Sequence, residues 1–201
     1  MYLASLRHNL GGILRFSGRS SREFFWPYAL TLLGVTVAAT ILVMAPAMFR
    51  MSETYAREHP EQVVETVGPG GYSIEVKDPP PDLFRNIDIP LTELGIVGGL
   101  FLLLLAAAVT RRLHDRGLPG ILGILPLIPF SASAFYFMPR IFHQFALADG
   151  SPPTAFVAAF FCNLLYLGLL LGLGLLLAMK GQPQSNRYGD PPEPGRGEAT
   201  P

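Results

Sequence analysis

The sequence predicts an all-α membrane protein: four transmembrane helices, both termini cytoplasmic (N-in/C-in), and one long extracytoplasmic loop. Three observations predict it. Half of the 201 residues are hydrophobic and only 15% are charged, against about 25% in soluble domains. Four apolar stretches approach the roughly 20 residues that a helix needs to cross a hydrocarbon core about 30 Å thick. Lysine and arginine are also divided unevenly between the connections.

The first stretch, 27–49 (PYALTLLGVTVAATILVMAPAMF), contains no charge. It is too long for a signal-peptide core and follows a mixed polar segment, so it is expected to stay as an anchor despite Ala45-Pro46-Ala47. The second covers 94–110 and reaches back to Leu91 if Glu93 lies at the interface. The third, 118–138, contains Pro126 and Pro129, which remove backbone donors and should kink it. The fourth, 154–179, is the longest and most apolar.

Orientation follows from the basic residues. Arg7, Arg15, Arg19 and Arg22 precede the first span, Arg111, Arg112 and Arg116 follow the second, and Lys180, Arg187 and Arg196 follow the fourth. The opposite connections hold Arg50, Arg57, Lys77, Arg85 and Arg140. Positive charge stays cytoplasmic, which sets the topology. Three zones result: a cytoplasmic interfacial segment 1–26, a transmembrane domain 27–180 that includes the outer loop 50–90, and a cytoplasmic tail 181–201. The outer loop is acidic, with Glu53, Glu58, Glu61, Glu65, Glu75, Asp78, Asp82 and Asp88 against four bases. Its alternation at Tyr72, Ile74 and Val76 after Gly68-Pro69-Gly70-Gly71 reads as a short β-hairpin, with a solvated loop as the other reading. Pro79–Pro81 leads stiffly back to the membrane. The Pro- and Gly-rich tail is expected to be disordered beyond Pro192.

Composition also excludes function classes. A net charge of zero gives no pull toward nucleic acid. The single cysteine, Cys162, sits in an apolar run and reads as a packing residue. No span holds an ionisable group at membrane depth, which argues against an ion-coupled transporter, and no polar stripe suggests a channel. Thr31, Thr36, Thr40, Asn163 and Tyr166 are expected to make local or interhelical hydrogen bonds. Gly95 and Gly99, and Gly168 and Gly172, have the spacing of close helix packing. Contact between spans of one chain is the preferred reading and a homodimer seam the other.

The ionisable residues with telling neighbours collect at the cytoplasmic face. FSGRSSREFFW supplies Phe16, Gly18, Arg19, Arg22, Glu23 and Trp26, with Phe24, Phe25 and Trp26 marking the interface. Upstream, Tyr2, Leu3, Leu6, Leu10, Ile13 and Leu14 approximate one face of a helix lying on the membrane. RRLHDRG supplies Arg111, Arg112, His114, Asp115 and Gly117. If the second span continues as helix, Asp115 can pair with Arg111 or Arg112, and Gly117 with Pro119-Gly120 ends the helix. His114 lacks companions at metal-ligand spacing and reads as a hydrogen-bonding or stacking residue. The turn NRYGDPP supplies Asn186, Arg187 and Tyr188.

Together, F-x-G-R-x-x-R-x-x-F-W, R-R-L-H-D-x-G and N-R-Y-G-x-P resemble the bacterial inner-membrane family known as domain of unknown function 805. Ile121 stands where a tryptophan often follows in the second motif, the last motif is one residue shorter before its proline, and the 41-residue outer loop is an insertion. The resemblance implies a multi-pass protein of the bacterial inner (plasma) membrane and no reaction. A non-enzymatic protein is expected, without cofactor or metal. Its Arg/His/Asp belt would lock the helix ends and hold anionic lipid headgroups, through Arg19, Arg22, Arg111, Arg112, Arg116 and Arg187 with Glu23, Asp115 and Asp190 as acidic partners. The alternative is an accessory subunit of a larger membrane complex or a small carrier. An interfacial lipid-phosphate enzyme with His114 as base ranks below both, for want of a second carboxylate.

Overall fold

In the computed structural model, residues 1–58, 60, 63–68, 71–76, 90–141 and 154–192 are described. The charge-free stretch 27–49 lies within α2, Arg22–Glu58, whose run continues past that stretch to Glu58. Before it, α1 covers Tyr2–Gly11. The second stretch becomes α3, Leu91–Asp115, which carries the helix through both arginines to the aspartate. The third becomes a helical span, α4, Gly120–Ile141, and the fourth is α5, Thr154–Ala178. These four are long and apolar enough to cross a membrane, and side chains such as Leu42, Phe161 and Leu171 are exposed. That pattern fits a multi-pass membrane protein, because in lipid a helix need not bury its apolar side chains against protein.

Among the residues between α2 and α3, β1 (Val63–Gly68) pairs antiparallel with β2 (Gly71–Val76), Val63 opposite Val76 and Gly68 opposite Gly71. Asp78, Asp82, Asp88, the Pro79–Pro81 connector and the tail beyond Pro192 lie outside the described residues.

The chain forms two compact units, Met1–Leu32 with Phe101–Pro201, and Leu33–Leu100. The interfacial segment and the start of the tail, which composition sets apart from the spans, both belong to the first unit. Its core is Phe25, Tyr28, Ala108, Val109, Leu113 and Leu177, so the first turns of α2 meet the last turns of α3 and α5. The Tyr28 hydroxyl donates to Leu104 O at 2.9 Å, satisfying a polar group that would otherwise be costly in this setting.

Pro126 and Pro129 have the disruptive effect their chemistry predicts. α4 starts as a 3₁₀ turn (Gly120–Ile124), becomes α-helical over Leu127–Ser131 and widens to a π-helix over Ala132–Phe137. Against the widened stretch, Asn163 of α5 donates to Ser133 Oγ at 2.7 Å and to Ala159 O at 2.8 Å. Tyr166 packs on Phe130 with ring centroids 5.4 Å apart. Both polar residues of the fourth span thus serve helix packing.

Glycine mediates close approach, but at other positions than the sequence indicated. A Cβ added at Gly95, Gly99, Gly168 or Gly172 would meet nothing within 4 Å, so the intrachain contact expected of them is absent among the described residues. Between α3 and α4 the tight sites are Gly120, where a Cβ would collide with Thr110, and Gly123, where it would come within 2.9 Å of Val109 Cγ1. They let α4 fold back against α3.

Candidate functional site

The end of the molecule that carries the three motifs is organised by the last turn of α3. Leu118 N donates to Leu113 O at 3.0 Å and Gly117 N to His114 O at 2.9 Å, the paired bonds of a Schellman stop. Gly117 has φ +74°, a left-handed conformation that glycine adopts without strain. The helix therefore ends immediately after Arg111, Arg112, His114 and Asp115 have been presented on successive faces, and all four are buried.

Asp115 is the acceptor at the centre. Arg19 Nε donates to its Oδ1 at 3.1 Å with Nη2 at 3.0 Å, while Arg112 Nη1 donates to its Oδ2. The sequence offered Arg111 or Arg112 as the partner; Arg19, 96 residues away in the chain, could not be read from helical spacing. Each guanidinium then fans out to main-chain carbonyls. Arg112 donates to Leu177 O at 2.9 Å, to Ser20 O at 3.4 Å and to Met179 O. It thus supplies donors and positive charge to the carbonyl end of α5. Arg19 donates to Gln184 O at 2.8 Å, Gly189 O at 3.2 Å and Gln182 O. The main chain of Gln182 returns a bond to Asp115 O at 2.8 Å. Gly181 lies so close that a Cβ there would overlap the Asp115 carboxylate.

Arg111 serves the other flank. Its Nη1 donates to Gly12 O at 2.6 Å and Arg15 O at 2.8 Å, and its Nη2 to Asn9 Oδ1 at 2.9 Å. The Asn9 amide donates to Ser5 O at 3.0 Å and Phe24 O at 2.8 Å. Ser20 N donates to Arg111 O at 3.1 Å. α1, the start of α2 and the end of α3 are therefore joined through one asparagine and one arginine.

His114 stacks on Tyr188 with ring centroids 3.7 Å apart and planes 5° from parallel, and its Nδ1 lies 3.2 Å from Gly18 O. The turn bearing Tyr188 is closed by Gly189 N donating to Asn186 O and by Tyr188 N donating to Asn186 Oδ1, each at 2.9 Å. Asn186 Nδ2 anchors that turn on His114 O at 3.0 Å.

Arg19, Gly18, Arg111, Arg112, His114, Asp115, Gly117, Asn186 and Tyr188 are thus brought together from three distant segments. The other candidates lie outside the cluster. Phe16, Arg22 and Glu23 are exposed. Trp26 packs edge-on against Phe25 at 5.3 Å, in the apolar core. Arg187 is exposed and lies over the Tyr188 ring at 4.7 Å. Asp190 accepts from Ser185 Oγ at 2.6 Å, and Arg116 donates to Lys180 O. Sequence reasoning missed Ser5, Asn9, Gly12, Gly181 and Gln182. Asn9 carried a usable signal, a lone amide in an otherwise apolar helix turn; the role of Gln182 rests mainly on its main chain and had none.

Chemically, the centre of this arrangement is a carboxylate between two cations whose nitrogens are all engaged. Arg112, Asp115 and Arg19 are 0%, 3% and 8% exposed, and every nitrogen of the Arg19 and Arg112 guanidiniums has an acceptor. No group of three or more His, Cys, Asp or Glu suited to a metal ion occurs among the described residues.

Residues 13–190 match the family model described as "Protein of unknown function (DUF805)". No curated protein and no solved structure matches the chain. With most of its length matched, the chain belongs to that family.

Proposed function

Taking that membership as the premise, we propose that the chain is a non-enzymatic protein of the bacterial inner membrane whose cytoplasmic rim works in two tiers. The carrying observation is the Arg19–Asp115–Arg112 triad, which ties three chain segments at the ends of the helices. The inner tier, Arg19, Arg111 and Arg112, is a lock: the guanidinium nitrogens of Arg19 and Arg112 and both Nη atoms of Arg111 donate to Asp115, Asn9 and main-chain carbonyls. The headgroup role suggested by sequence for those three passes to the exposed outer tier, Arg7, Arg15, Arg22 and Arg187, where anionic lipid attracts each cation by about 1 kcal/mol. His114 supports the non-enzymatic reading, because stacking on Tyr188 holds its ring in place at a buried position.

An accessory-subunit reading is favoured by one observation. Gly95, Gly99, Gly168 and Gly172 face open space within the chain, which suits close approach by a separate helix.

The test of the first reading combines side and lipid. With Cys162 replaced by alanine, cysteines at Ser17 and Ser185 should resist a membrane-impermeant thiol reagent in intact cells, and one at Thr54 should react. Lipids co-purifying with the protein should be enriched in anionic species over the bulk membrane. Labelling of the Ser17 and Ser185 positions from outside would overturn the orientation, and bulk lipid composition would overturn the headgroup role.

A further inference from the structure

A groove of about 1080 Å³ lies beside α1, bounded by that helix, the segment that follows it and the turn after Tyr188. Arg7, His8 and Arg15 line it, together with Arg19 and Arg111 of the lock, and Asp190 is the acid among the described residues; Asp190 accepts from Ser185. Ser20 lines it too. That residue is 1% exposed, and its hydroxyl has no hydrogen-bond partner among the described residues. A buried hydroxyl without a partner carries a desolvation cost that a ligand oxygen would remove. The groove also borders an apolar surface. Leu3 is part of its wall and is 77% exposed, and Leu10 and Leu14 are exposed as well.

We propose that this groove binds the phosphate-bearing headgroup of an anionic phospholipid, with Arg7 and Arg15 supplying charge and Ser20 a hydrogen bond. The exposed leucines of α1 meet the acyl region, which is why a lipid fits better than a soluble phosphate. The assignment deepens the two-tier reading and rests on it: it concentrates on one groove what that reading spreads over the rim.

The full-length protein in neutral detergent is titrated with phosphatidylglycerol, phosphatidylcholine or glycerol phosphate, and bound adducts are counted by native mass spectrometry. Phosphatidylglycerol should bind saturably, and the other two about tenfold or more weakly. Arg7→Ala with Arg15→Ala should weaken it about tenfold or more, the loss expected for two cations at a lipid surface, and lysine at both positions should restore most of the affinity. Ser20→Ala should cost about fivefold; the Ser20 hydroxyl has no partner to lose among the described residues, and an unshifted melt verifies that the fold is kept. Equal losses from Arg22→Ala with Arg187→Ala would overturn the groove while leaving a diffuse rim intact. Phosphatidylglycerol binding no better than phosphatidylcholine would sink the headgroup reading itself. Glycerol phosphate binding as tightly would overturn the lipid assignment in favour of a soluble ligand.

Discussion

Arg112 and Asp115 are three residues apart on one helix and fully withdrawn from solvent, so their pairing differs from the weak surface pairs that such spacing usually gives. Its strength depends on Arg19 and on the carbonyls of Leu177 and Met179, which complete the coordination. A planar guanidinium can serve all of these at once; an ammonium on a lysine stem cannot match that fork. Arg112→Lys should therefore lose at least two hydrogen bonds to charge and lower stability by about 2 kcal/mol or more, read as a depressed melting temperature in detergent. An unchanged melt would mean that charge alone suffices there. The sequence displayed the dense cluster of charge and its place at the end of a span. It could not display that Arg19 would be the second partner of Asp115, because nothing in local spacing links positions 96 apart.

The elements show which kind of pattern can be read in advance. Span positions were legible because twenty apolar residues admit one reading, and the irregularity of the third span was legible because proline lacks an N–H. α1 was legible only in part. Leu3, Leu10 and Leu14 are exposed as an interfacial helix requires, but Leu6 turns inward onto the apolar core, and the helix ends at Gly11, before Ile13 and Leu14. Its buried residues are polar: Ser5 and Asn9. That inversion makes sense once Asn9 bridges Phe24 O and Arg111. Asn9→Ala would take the acceptor from Arg111 Nη2 and leave Phe24 O with Ser5 Oγ alone of its two side-chain donors, at a cost of about 1–3 kcal/mol. Limited proteolysis should then cut within residues 12–21 several times faster than in the unmodified protein, whereas Leu14→Ser should leave the rate unchanged. Equal protection in Asn9→Ala would detach α1 from the lock. For the small residues, spacing pointed to Gly95, Gly99, Gly168 and Gly172, whereas the close contacts between α3 and α4 are made at Gly120 and Gly123. A spacing motif states that approach is sterically allowed, and only the path of the chain decides where it occurs.

At the scale of the whole molecule, the count of basic residues performs two jobs that sequence merges. Charge near span ends directs topology whether or not it is later buried. Folding then divides those charges, burying Arg19, Arg111 and Arg112 in contacts with protein and leaving Arg7, Arg15, Arg22 and Arg187 exposed. The lock is what makes the N-terminal segment, the end of α3 and the start of the tail a single unit. A double-mutant cycle on Arg19 and Asp115, followed by thermal unfolding in detergent, tests this claim most directly. Each single alanine variant takes a partner from a buried charge, Arg19→Ala one of the two cations on Asp115 and Asp115→Ala the carboxylate that Arg19 and Arg112 share, and should cost about 3–5 kcal/mol. The double variant should lose little more than either single one, a coupling well above about 1 kcal/mol. Losses that simply add would show that the two residues act independently, and the account of a shared lock would be wrong.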